Sequence, residues 1–299
     1  MKFVDRLILS KTENSVHIRC PAKVNLFLRV VGKRGDGYHE VRNVMQTVTL
    51  FDDLKVEKTQ SEVSLTCSQP ELAEKPEENL AFRAADMFLT RGYGSGGVHL
   101  ELRKTIPVAA GLGGGSSDGA CCLLALNELF RTRLSPEAVR SVAAKLGSDV
   151  PFFVEGGTAL CTGRGEIVRQ LRDAPRFAGI LAAPESHFKT EEMYASLIPE
   201  DFRGPEVDVK VRAIEEGDLK SICSALFNSF ERAAFRVAPE LGELRRKLEE
   251  LGSMGTVLCG SGPTLLGIFP QLQEAETALA RLRLLEARET FFTAVISAF

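Results

Sequence analysis

The stretch Ile106-Pro-Val-Ala-Ala-Gly-Leu-Gly-Gly-Gly-Ser-Ser-Asp-Gly-Ala120 constrains this chain more than any other. Glycines at 111, 113, 114 and 115 remove Cβ atoms from a short span, so backbone N–H groups there can converge. Ser116, Ser117 and Asp118 follow, and then a largely apolar run, Ala120 to Leu129. Serine and aspartate favour helix N-caps, so the spacing predicts a helix beginning near Ser116 to Asp118. A glycine loop emptying onto a helix N-terminus gathers free N–H groups and the positive end of the helix dipole. The expected product is a phosphate cradle; the plain alternative is a flexible connector.

Two known cradles are excluded. A Walker-type loop ends in Gly-Lys-Ser/Thr, and no lysine lies between Gly111 and Gly119. A dinucleotide loop needs Gly-x-Gly-x-x-Gly directly after a strand. Here Gly111 and Gly113 lead to Ser116, Pro107 interrupts the approach, and the next segments read as two helices, Cys121 to Phe130 and Pro136 to Leu146.

At 299 residues the chain has room for two domains or one large one. With 44% apolar and 26% charged residues it reads as soluble, with sizeable cores. A net charge of -3 gives no electrostatic reason to expect nucleic acid or an anionic membrane as partner. Seven cysteines without Cys-x-x-Cys spacing read as reduced, buried thiols. The four histidines (His17, His39, His99, His187) have no metal-ligand spacing. Nothing near the N-terminus resembles a signal peptide and no segment is long and apolar enough to span a membrane, so the expected location is cytoplasmic.

Val16 to Arg19 and Val24 to Val31 are strand-like, and Gly32-Lys-Arg-Gly-Asp-Gly37 is a turn before a return strand, His39 to Leu50. Leu54 to Lys58, Val63 to Thr66 and Val98 to Lys104 read as further strands, Gln69 to Glu78 as a polar surface loop, and Asn79 to Thr90 as a helix. Asp173 to Arg176 looks like a boundary. Beyond it come a strand (Phe177 to Ala183), a short helix (Thr190 to Leu197), a long helical stretch (Ile222 to Leu251) broken near Pro239, strands flanking Gly260-Ser-Gly-Pro263, a helix (Ala275 to Leu284) and a last strand (Thr290 to Ala298). Hairpins, then helices, then a second β/α set predict an α+β fold in two halves.

Phosphoryl transfer needs a cradle, charge neutralisation and a group that orients or deprotonates the nucleophile. Lys23 after Pro21 is a candidate cation, or an ordinary edge lysine. Asp149, between a helix stop at Gly147 and Val150-Pro151, is a candidate base, or a turn aspartate. Tyr38 and His39 can stack on or hydrogen-bond a base, and Gly260 to Pro263 can bring a second backbone close to a ligand; each is equally readable as structural.

Pro107-x-x-x-Gly-Leu-Gly-Gly-Gly-Ser-Ser117 resembles the signature of the GHMP kinases, the superfamily of galactokinase, homoserine kinase and mevalonate kinase. Pro21-Ala-Lys-Val-Asn-Leu-Phe-Leu28, Asp36-Gly-Tyr-His-Glu40, Met45-Gln46, Glu78-Asn-Leu80, Leu146-Gly-Ser-Asp-Val-Pro-Phe152 and Gly260-Ser-Gly262 are similar, in order, to the members that act on a cytidyl diphosphate substrate in non-mevalonate isoprenoid synthesis. The resemblance covers nearly the whole chain. It implies an α+β, two-domain GHMP kinase fold. Residues 1–175 would be an ATP-binding domain like ribosomal protein S5 domain 2, and 176–299 a ferredoxin-like domain.

The resemblance implies ATP as phosphoryl donor, with Mg²⁺, and a small-molecule cytidyl acceptor phosphorylated at its 2-hydroxyl. By motif position Asp149 matches the catalytic base and Lys23 its accompanying lysine, so the two are expected to meet. Pro107, Gly111, Leu112, Gly113, Gly114, Gly115, Ser116 and Ser117 match the phosphate loop, and Asn79 an adenine contact. Asn25 and Thr190 match erythritol contacts, Tyr38 and His39 the cytosine-recognising pair, and Tyr194 an aromatic ring over the other face of cytosine. The metal ligands stay open between a loop serine and an unidentified acid, and the oligomeric state is also open. Two departures stand out: Gly119 in place of alanine, expected to loosen the first helical turn, and Arg164 in place of a small or apolar residue. Rival readings are a GHMP kinase for mevalonate or homoserine, which carry no base for Tyr38 and His39 to recognise, and an S5-like RNA-binding module, disfavoured by the net charge.

Overall fold

A computed structural model describes residues 2–184, 188–285 and 292–299. His187 and the first two residues of the expected last strand, Thr290 and Phe291, lie outside them. Two compact units make up the chain. The first takes in Met1–Ala22, Leu50–Val108 and Gly113–Gly156; the second takes in Lys23–Thr49, Ala109–Leu112 and Gly157–Phe299.

The first unit opens with helix α1 (Phe3–Leu7) and strand β1 (Ile8–Lys11), which pairs antiparallel with the start of β2 (Ser15–Lys33). The second half of β3 (His39–Thr59) pairs antiparallel with β5 (Gly97–Arg103), and β4 (Ser64–Cys67) lies parallel to β5. Between β4 and β5 come a single turn α2 (Pro70–Ala73) and helix α3 (Leu80–Thr90). Asn79 caps α3 by accepting from the N–H groups of Ala81 and Phe82, and Ala81, Ala84, Ala85 and Phe88 form its buried face. Helix α4 (Gly114–Leu129) is buried along most of its length, whereas α5 (Pro136–Ala143), capped by Ser135, turns only Val139, Val142 and Ala143 inward. The residues after α5 form a 3₁₀ turn, Val150–Val154, that packs on α4 and α5.

The second unit pairs β6 (Thr158–Thr162) with the first half of β3 and with β7 (Ile167–Gln170), both antiparallel. Strand β8 (Ala178–Ala183) follows, then α6 (Thr190–Ala195), α7 (Val207–Glu216), α8 (Leu219–Ser224) and the short β9 (Phe227–Asn228), parallel to β2 at Phe27 and Leu28. Helices α9 (Glu231–Val237) and α10 (Glu240–Glu250), strands β10 (Gly255–Leu258) and β11 (Leu265–Phe269), helix α11 (Leu272–Leu285) and strand β12 (Phe292–Ser297) complete it. β8 and β10 to β12 form an antiparallel sheet in the order β10-β11-β8-β12. Its core joins Ile180 and Ala182 of β8 to Leu241, Leu244 and Leu248 of α10 and to Ala275, Ala278 and Leu282 of α11.

Three expectations are corrected. The helix after the glycines begins at Gly114, not near Ser116 to Asp118, because Gly113 takes the left-handed cap conformation (φ 70°). Ser117 and Asp118 fall inside the first turns and are buried there. The stretch from 222 to 251 is three helices with β9 between the first two, because the Asn228 side chain bonds backbone and diverts the chain: it donates to the carbonyls of Leu258 and Gly260 and accepts from the Phe230 N–H. The polar segment Gln69 to Glu78 holds α2 and a 3₁₀ turn, Pro76–Glu78, each started by a proline that sets φ for the first turn.

Candidate active site

In the first unit, the glycines open the N-terminus of α4. Gly113 has no side chain with which to cap it, so the first N–H groups of α4 receive no side-chain acceptor from the cap. A Cβ on Gly114 would lie 3.0 Å from Ile106 Cγ2 and 3.3 Å from Lys104 Nζ, so the base of the loop is closely packed. A Cβ on Gly115 would meet nothing nearer than Leu80 Cδ1 at 4.0 Å. Packing among the described residues therefore gives no reason for glycine at 115. Gly119 has a different use: a Cβ there would lie 3.2 Å from both the Cβ and the carbonyl oxygen of Leu80, so the departure lets α3 and α4 approach closely.

Beneath this turn lies a buried charge cluster that the sequence reading missed. Lys104 Nζ donates to Asp118 Oδ2 at 2.6 Å and to Asp52 Oδ2, while Asp52 Oδ1 accepts the N–H groups of Thr105 (2.5 Å) and Ile106 (2.8 Å). Burial works to lower the Lys104 pKa, but the charges of Asp118 and Asp52 outweigh it and the ammonium keeps its proton. Burial drives the Asp118 carboxyl upward, opposed by Lys104. The available signal was Asp118 itself, a charged residue entering an apolar helix.

Asn79 spends its side-chain oxygen on capping α3. Asp149 is half-buried, immediately before the Val150–Val154 turn, and its side chain does not cap that turn. Pro107 is half-buried in the lead of the loop.

In the second unit, Lys23 and Asn25 lie in β2. Lys23 is 3% exposed and Asn25 fully buried. Lys23 Nζ donates to Asn25 Oδ1 at 2.8 Å, and the same oxygen accepts the Gly260 N–H at 2.6 Å. Asn25 Nδ2 donates to Asn43 Oδ1 at 2.8 Å. One amide thus ties a buried ammonium to the Gly260 turn and to β3. Asn43, between Arg42 and Val44 in β3, has no neighbours in sequence that mark it as buried, and only the fold reveals its role. Leu112 accepts the Lys23 N–H at 2.9 Å. Gly111 (φ 76°) packs so closely on the same turn that an added Cβ would lie 2.1 Å from the Cys259 carbonyl oxygen.

His39 stacks on Tyr194, with ring centroids 4.6 Å apart and planes 19° apart. That spacing leaves no room for a third ring between them. Burial, and then the charge of Lys33, lower the His39 pKa and favour the neutral imidazole. Tyr38 is 53% exposed, and the guanidinium of Arg164 lies 4.5 Å over its ring. The Arg164 departure therefore faces one of the predicted base-recognising residues. Thr190 opens α6 and shares a 3.3 Å hydrogen bond with Ser261. Among the described residues, no group of three or more histidine, cysteine or acidic side chains is arranged to hold a metal.

Residues 79–157 match the family model for the GHMP kinases N terminal domain, and residues 211–285 that for the GHMP kinases C terminal. A 4-diphosphocytidyl-2-C-methyl-D-erythritol kinase of Pelotomaculum thermopropionicum is 41% identical over 264 residues, 88% of this chain and 92% of that protein. One from Caldicellulosiruptor bescii is 37% identical over 89% of this chain and 93% of its own. The crystal structure of a 4-(cytidine 5'-diphospho)-2C-methyl-D-erythritol kinase superposes with a TM-score of 0.80 at 35% identity, covering 95% of this chain and 100% of that one. A homoserine kinase of Cytophaga hutchinsonii shares the fold with a TM-score of 0.77 at 16% identity. The chain has the α+β GHMP kinase fold and belongs to the family of 4-diphosphocytidyl-2-C-methyl-D-erythritol kinases.

Proposed function

We propose that this chain transfers the γ-phosphoryl group of ATP to the 2-hydroxyl of 4-diphosphocytidyl-2-C-methyl-D-erythritol, in non-mevalonate isoprenoid precursor synthesis. The observation that carries the reading is the N-terminus of α4: it opens on glycines, Gly113 gives it no side-chain cap, and a Cβ at position 115 would meet nothing nearer than 4.0 Å. Triphosphate oxygens satisfy such N–H groups and meet the positive end of the helix dipole. The loop residues Pro107, Gly111 to Gly115, Ser116 and Ser117 are assigned to the nucleotide, together with Asn79, whose Nδ2 is left for adenine once Oδ1 caps α3.

The acceptor is a tertiary alcohol with a pKa far above neutrality. Asp149 takes its proton as the acceptor oxygen bonds to the γ-phosphorus and the bond to the bridging oxygen breaks, releasing ADP. Base catalysis of this kind contributes about 10²–10⁴-fold. Lys23 is assigned to offset the charge developing on the acceptor oxygen. Asn25 and Thr190 are assigned to the erythritol, and Tyr38, His39 and Tyr194 to cytosine. Base recognition at His39 favours a cytidyl acceptor over mevalonate or homoserine. Remote binding of the cytidyl group supplies the positioning that transfer requires.

Mg²⁺ would arrive on the triphosphate. Such a cation keeps phosphate and water ligands and takes few from protein. No helix among the described residues is long and apolar enough to cross a membrane, and the proposed location is cytoplasmic. The division into residues 1–175 and 176–299 is likewise proposed; the two family-model matches fall one on each side of it.

The test is ADP release by the purified chain with the cytidyl substrate, mevalonate and homoserine in parallel. The reading expects turnover with the first alone. Equal or greater turnover with either of the others overturns it.

A further inference from the structure

The glycine loop has two ends in the first unit, and both are tied to the same buried charges. At its start, Asp52 Oδ1 accepts the N–H groups of Thr105 and Ile106. At its finish, Asp118, one turn inside α4, accepts from Lys104 at 2.6 Å. Lys104 joins the two carboxylates, and all three side chains are at most 3% exposed. The Lys104 ammonium sits 3.3 Å from where a Cβ of Gly114 would be, and Ile106 packs against the same glycine. The width of the loop at its base is thus set by one ammonium held between two carboxylates.

A buried ion triad is a poor source of stability. Desolvation of three charges offsets most of their attraction, and apolar side chains of similar size serve a core as well. Geometry is what such a triad does supply: charged hydrogen bonds are short and directional, and they hold two backbone segments at a fixed separation. A phosphate cradle depends on that separation, since its N–H groups must converge on the anion without reorganising.

We propose that Asp118, through Lys104 and Asp52, is a positioning residue for the nucleotide phosphates: it fixes the first turn of α4 relative to the start of the glycine loop. The inference rests on the assignment of this loop to ATP. The clamp leaves the acceptor's cytidyl group to other residues, so its effect is confined to the nucleotide.

The test uses the full-length protein and steady-state kinetics with ATP and the cytidyl acceptor, together with calorimetric binding of MgADP and of CDP. Asp118→Ala removes the tether at α4 and leaves Lys104 paired with Asp52, so no lone charge remains buried. The expected result is a kcat/KM for ATP lowered about 10- to 100-fold, the scale of a sub-ångström to ångström misplacement. MgADP binding should weaken in parallel, while CDP affinity stays within about twofold. Asp118→Asn, which keeps an acceptor for Lys104, should recover most of the loss. If Asp118→Ala does not fold, Lys104→Gln breaks the same bridge while keeping a donor, and the same split between MgADP and CDP is expected. Unchanged MgADP affinity in a folded variant, equal losses for MgADP and CDP, or no recovery by asparagine each overturn the proposal. Failure of the wild-type chain to release ADP or bind MgADP is a different result: it removes the kinase reading, and the proposal with it.

Discussion

Lys210 offers a quantitative test of the second unit. It lies on α7 with its side chain fully buried, and its ammonium donates to the Ile222 carbonyl of α8 at 2.5 Å. Burial pushes its pKa down from 10.5 to about 7, with Cys223 opposing weakly. Because the folded pKa lies below the unfolded one, the unfolded chain binds more protons between pH 7 and 10.5, and stability rises with pH across that window. At about 1.36 kcal/mol per pKa unit, the rise between pH 7 and pH 10 from this one group is about 3–4 kcal/mol. Lys210→Met removes the ammonium while filling similar space, but leaves the Ile222 carbonyl without that donor, a cost of about 1–3 kcal/mol. The variant should therefore be more stable than wild type at pH 7, by about 1–3 kcal/mol, and no more stable at pH 10. Denaturant unfolding of both proteins at the two pH values, under reducing conditions, measures the difference, and groups common to both cancel. A stability difference that does not change between pH 7 and 10 would refute the argument that burial holds this lysine near neutrality.

Asn25→Leu should lower unfolding stability by about 3–6 kcal/mol, because the Asn25 amide accepts from Lys23 and Gly260 and donates to Asn43, and each buried partner loses a bond worth about 1–2 kcal/mol with its desolvation; denaturant titration checks it. Gly111→Ala should destabilise strongly, since its Cβ would lie 2.1 Å from a backbone oxygen at φ 76°, whereas Gly115→Ala should fold as wild type and lose ATP affinity. Thermal melts with and without MgADP separate the two. Asp149→Asn is expected to lower turnover by about 10²–10⁴-fold while CDP binding, measured by calorimetry, is retained. His39→Ala should raise KM for the cytidyl substrate far more than KM for ATP; equal increases would place His39 outside base recognition.

By itself, the sequence determined the elements that local chemistry dictates. Ser135 caps α5 because its side chain reaches the third N–H group, and Pro136 opens that helix because its ring fixes φ. The glycine loop was readable for the same reason, since four glycines ahead of two serines carry their chemistry with them, whereas the roles expected of Lys23 and Asp149 came from the resemblance to the GHMP kinases. Tertiary structure alone decided the rest. The start of α4 depends on the left-handed cap at Gly113, and the value of Gly119 depends on Leu80, which is remote in sequence. The Lys104 cluster joins residues 52, 104 and 118, and Asn25 reaches Asn43 and Gly260. Such contacts have no period and no fixed spacing. They exist because a buried polar group must find a partner wherever the folded chain brings one, and only the fold says where that is.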